Sequence, residues 1–83
     1  MTENNGICGI GWAVKQMHNG SAVTRAGWNG KNQWLKLYTP AQLGNDPADM
    51  TLPFVYIKTV QGETVPWLCS QTDLLAMDWR VVE

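Results

Sequence analysis

The 83-residue sequence has no excess of charge of either sign: six lysines and arginines stand against seven aspartates and glutamates, giving a net charge of −1. No run of basic residues forms the stripe that a nucleic-acid backbone demands, so long nucleic acid is not expected as a partner. Cysteine and histidine are equally scarce, with only Cys8, Cys69 and His18 present. Lacking CxxC spacing and a second imidazole, they cannot complete a usual zinc set, and no metal or other cofactor is expected. Both thiols read as reduced, which fits a cytosolic chain. No apolar stretch is long enough to span a bilayer, so no membrane partner is expected. The polar start, Met1-Thr2-Glu3-Asn4-Asn5-Gly6, also lacks the basic-then-apolar order of a secretory signal. A glycine-rich phosphate loop, an HExxH pair and a nucleophile elbow are all missing, which favours binding over turnover.

What the chain does have is tryptophan. Five indoles in one small domain are more than a core of this size easily buries with every N–H satisfied, so some are expected at a subunit interface or a stacking site. A domain of residues 1–83 has a marginal core, and association between copies is a common remedy.

The sequence is organised around residues 65–79, which hold two of the tryptophans, Trp67 and Trp79. Ser70 and Thr72 are preferred N-cap types and Asp73 suits the first turn, so a helix is expected to start near residue 71 and run to 77. The free N–H groups at that start, with Gln71, Thr72 and Asp73 beside them, make a polar corner next to aromatic rings. That corner is the candidate ligand site. Asp73 has a plainer reading as a helix-start carboxylate.

The remaining segments read as follows. Residues 7–19 repeat apolar side chains at three- and four-residue steps, as an amphipathic helix does, and Gly20 supplies its stop. His18 is expected exposed near the helix end. Residues 21–25 and 33–38 form two strands around an Asn29-Gly30 turn, the strongest short hairpin signal available. Residues 39–53 have loop composition. Residues 54–60 form a strand rich in β-branched and aromatic residues, 61–63 a tight turn, and 64–68 a returning strand whose Pro66 points to a sheet edge or a bulge. Residues 78–82 form a last strand. The sum is an α+β domain: an N-terminal helix packed on a four- to five-stranded antiparallel sheet, with a short second helix near the C-terminus.

For a ligand, the chain offers indoles for stacking, Arg25 and Lys31 for phosphate, and amides and carboxylates such as Asn29, Gln71 and Asp73 for ribose hydroxyls. Trp28, beside the hairpin turn, is the indole hardest to explain as core; Trp12 and Trp34 read as core or interface. Asp73 and Asp78 lie five apart across the expected helix and should not share a face, as an acid/base pair must.

Thr24-Arg25-Ala26-Gly27-Trp28-Asn29-Gly30-Lys31, followed by Val65-Pro66-Trp67-Leu68, Ser70-Gln71-Thr72-Asp73 and Ala76-Met77-Asp78-Trp79, resembles a small phage domain now associated with the second type of Thoeris anti-defence protein. The likeness covers most of the chain; Gly9 and Gly11 depart from it. It implies a homotetrameric sponge acting in the cytoplasm of the infected bacterium. Such a sponge sequesters cyclic ADP-ribose signals, glycocyclic ADP-ribose among them, and in some members cyclic oligonucleotides, without cleaving them. Residues 25–29 and 71–73 would then be pocket walls from different subunits, with Trp28 or Trp67 stacking on the ligand. Two other readings stand beside this one: a hydrolase of the same signal with Asp73 or Asp78 as base, and a structural module whose tryptophans serve interfaces.

Overall fold

The computed structural model describes residues 8–28, 32–40 and 52–82. The elements run α1 (Ile10–His18), β1 (Val23–Arg25), β2 (Trp34–Tyr38), β3 (Phe54–Lys58), β4 (Thr64–Pro66), α2 (Gln71–Leu74) and β5 (Trp79–Val81). One five-stranded sheet in the order β4-β3-β2-β1-β5 carries them, with every neighbouring pair antiparallel. This is the α+β architecture expected, with an N-terminal helix, an antiparallel sheet and a short second helix. The Asn29-Gly30 turn, Lys31 and most of the 39–53 loop lie outside the described residues.

Helix α1 packs on β1, β2 and β5. Ala13 and Met17, one turn apart, bury their side chains there, with Ile10 and Trp12 partly buried beside them. From the sheet come Val23 and Leu35, which face each other across β1 and β2, and Trp79 from β5; all three are fully buried. Gly20 ends α1 with a φ of 93°, the left-handed conformation that suits glycine after a helix.

Strand side chains alternate between faces, so one set of positions meets α1 and the other faces away from it. Val23, Arg25, Leu35, Ile57 and Trp79 belong to the helix side; Thr24, Trp34, Lys58 and Arg80 belong to the opposite side. Trp34, expected in the core or at an interface, is half-buried on that second face, because β2 keeps Leu35 for the helix. Pro66 sits in β4 at the sheet edge, where its missing N–H costs no ladder bond.

Two helix limits differ from expectation. Helix α1 starts at Ile10 rather than residue 7, because Cys8 is extended and forms a parallel bridge with Asp78. Gly9 is the N-cap residue, with no side chain to cap the helix. Helix α2 stops at Leu74 rather than 77, because the chain must turn at Leu75 to feed Trp79 into the sheet.

Candidate functional site

The corner around Ser70 is built as its sequence implies. Ser70 Oγ accepts the Asp73 backbone N–H at 3.1 Å, which satisfies one of the free donors at the start of α2. That cap fixes Asp73, whose Oδ1 accepts from Arg25 Nη1 at 2.7 Å and from the Trp28 indole Nε1 at 3.0 Å. Arg25 is shared: its Nε donates to Asp78 Oδ1 at 2.7 Å. Asp78 Oδ2 in turn accepts the Gly27 backbone N–H at 2.8 Å. A Cβ on Gly27 would lie 2.9 Å from that same oxygen, so the close approach requires glycine.

Two carboxylates therefore converge on one guanidinium. Asp73 and Asp78 were expected on different faces of one helix. The spacing rule does not apply, because α2 ends at Leu74 and the turn that follows brings Asp78 back beside Asp73's partner. The electrostatics follow from this geometry. Hydrogen bonding to Asp78 and then Asp73 raises the Arg25 pKa. Burial opposes the charge on Asp73, but hydrogen bonds from Trp28, Arg25 and Ser70 outweigh it and hold its pKa below the ordinary value. Arg25 does the same for Asp78, against a smaller effect of burial. Burial, with the charge on Asp73, pushes the Cys69 thiol up.

Trp79 lies behind this cluster, its indole Nε1 donating to the Asp73 carbonyl at 3.2 Å. Trp28 meets it edge-on at 5.5 Å between ring centroids, and Trp67 does so at 6.1 Å. A buried indole is thus flanked by two half-buried ones in the T-shaped geometry that aromatic quadrupoles favour. Of the residues singled out in the sequence, the structure brings together Arg25, Trp28, Trp67 and Asp73. Gln71 and Thr72 are exposed on α2. Asn29 and Lys31 lie outside the described residues.

Beside Arg25 and Trp28 opens a groove of about 820 Å³ that the sequence did not point to. Its walls come from the end of β1, the start of β2, the β3–β4 turn and β5. Trp34, Lys58 and Arg80 line it, and among the described residues no aspartate or glutamate does. Lys58 Nζ sits 5.7 Å from the centre of the Trp34 ring, a cation–π distance. Their meeting depends on the register between β2 and β3, which no local pattern reveals.

The chain is 35% identical over 84 aligned residues to the protein "Thoeris anti-defense 2" of Bacillus phage SP01, with 88% of this chain and 92% of that protein covered. Residues 8–82, which include the Arg25 cluster, the tryptophan trio and the groove, match the Thoeris anti-defense 2-like domain. The chain belongs to the Thoeris anti-defense 2-like family, and with it to the anti-Thoeris proteins of phages.

Proposed function

We propose that this protein counters Thoeris by binding a cyclic ADP-ribose-type signal and holding it unaltered in the cytoplasm of the infected bacterium. The observation that carries the reading is the commitment of both carboxylates at the site to Arg25. An aspartate held ionised by a guanidinium is a weak base and cannot donate a proton near neutral pH, so neither half of an acid/base pair is favoured there. The raised Cys69 pKa keeps that thiol protonated and a poor nucleophile. The site retains what a binder needs: indole surface at Trp28 and Trp67, and an adjoining groove of a volume that accommodates a ligand of nucleotide size.

The trap is proposed to be an oligomer, a homotetramer as the resemblance implies. Leu68, Leu74, Leu75 and Met77 are exposed around α2, next to the candidate corner. A run of apolar side chains at that place suits a seam between copies better than contact with water. A second copy seated there would close the corner that Gln71, Thr72 and Trp67 leave open.

Isothermal titration with cyclic ADP-ribose tests the proposal. Saturable binding supports it; absence of heat with this ligand and with its glycocyclic relatives would favour a purely structural role.

A further inference from the structure

The antiparallel register sets four side chains in one row across four neighbouring strands, on the face turned away from α1. Lys58 in β3 pairs with Trp34 in β2, and Arg80 in β5 pairs with Thr24 in β1. Thr24 stands one residue beyond the Val23–Leu35 pair, and so opposite Trp34. With strands roughly 4.8 Å apart, the two outer residues are separated by roughly 14 Å of sheet, with an indole and a hydroxyl between them.

Among the described residues, nothing neutralises the charges in this row. Both ion pairs among the described residues belong to Arg25, whereas Lys58 and Arg80 have no carboxylate partner there. None of the described residues lining the groove is acidic, and Asn32, Gln33 and Gln61 add amide donors to it. A lined cavity with two unneutralised cations flanking an aromatic ring attracts an anion that also carries a planar ring.

We propose that Lys58 and Arg80 form the phosphate subsite of this protein, holding the pyrophosphate of a nucleotide whose base stacks at Trp34. The assignment rests on the signal-trapping reading, relocates its phosphate contact, and extends the base-stacking surface from Trp28 to Trp34, both of which line the groove. Arg25, the obvious candidate in the sequence, already satisfies two carboxylates, and a phosphate placed there would have to displace them. Lys58 now lies over the Trp34 ring, and its flexible stem can carry the ammonium aside to a phosphate when a base takes its place.

The test uses the full chain and three variants: Lys58→Ala, Arg80→Ala and the double substitution. Lys15→Ala, on the exposed side of α1, is the control. Cyclic ADP-ribose and inorganic pyrophosphate are titrated separately at low and high salt, with near-ultraviolet circular dichroism confirming the tryptophan packing. The expected result is at least a tenfold loss of affinity for both probes in the double variant, with a flattened salt dependence and an unchanged Lys15→Ala control. Wild-type affinity for cyclic ADP-ribose in the double variant would overturn the subsite and leave signal trapping standing. Pyrophosphate binding that disappears in the double variant, in a wild-type protein that ignores cyclic ADP-ribose, would keep the phosphate subsite but remove the signal-trapping reading and the base-stacking part. Binding of neither probe by the wild type would overturn both.

Discussion

Arg25 Nη1 and Asp73 Oδ1 lie 2.7 Å apart, so a single ion pair joins the end of β1 to the first turn of α2 across 48 positions of sequence. Each of the two side chains is only 15% exposed, which removes most of the water that would otherwise solvate them. Replacing Arg25 by alanine leaves Asp73 without its cation in that environment. Arg25→Ala is expected to destabilise the fold by about 2–3 kcal/mol, the scale for losing a hydrogen bond between charged groups. Urea denaturation measures it, and a change under about 0.5 kcal/mol would show the pair to be no stronger than an ordinary surface contact.

The same pair sets a pH dependence. Asp73 and Asp78 are both held below the ordinary carboxyl value of 3.8. Their folded pKa values are depressed, so the stability they contribute is present above 3.8 and is lost as pH falls through the folded values. Denaturation midpoints should hold level through the weakly acidic range as far as these groups are concerned, then drop below about pH 4. The drop should be shallower in Arg25→Ala.

Gly27→Ala tests the close approach. The added methyl would meet Asp78 Oδ2 at 2.9 Å and Arg25 Nη2 at 3.2 Å. Asp78 must move, loosening its bonds to both Gly27 and Arg25, and a loss of about 1–2 kcal/mol is expected. Thermal unfolding of the variant measures the change.

Trp28 has two roles that separate by substitution. Its ring packs on Trp79 and its N–H donates to Asp73. Trp28→Phe keeps an aromatic edge against Trp79 and loses the donor, so it should weaken stability only modestly. Trp28→Ala removes the stacking surface as well and should cost about 1–3 kcal/mol in ligand binding, the scale of one base-stacking contact. Calorimetric titration of both variants separates the roles; equal affinity in wild type and Trp28→Ala would exclude Trp28 from the pocket.

If the apolar side chains around α2 form the seam between copies, Leu75→Asp should break it. Leu75 is 73% exposed, so the substitution leaves the isolated fold intact. Light scattering coupled to size exclusion is expected to show a smaller species than wild type.

Much of the fold was legible because local chemistry decides it. Ser70 and Asp73 announce the start of α2, Gly20 the end of α1, and Pro66 an edge strand, and each sits in that role in the structure. The limits of the elements were set by partners distant in sequence: Cys8 is drawn into an extended bridge with Asp78, and Trp79 pulls the chain out of α2. At the candidate site, Arg25, Trp28 and Asp73 were recognisable from residue type and position. The convergence of Asp73 with Asp78 was not, because it needs a turn that helical spacing does not foresee. Lys58, Trp34 and Arg80 were invisible as a group for the same reason: three unremarkable strand residues become a row only once the register is known.

The most direct measurement mixes the protein with a known amount of cyclic ADP-ribose-type signal, removes the unbound fraction, denatures the complex by heat and chromatographs what is released. Recovery of the intact signal, in fixed proportion to protein and without turnover on longer incubation, is the predicted result. A product peak that grows with time would contradict the account and return Asp73 and Asp78 to the role of catalytic groups.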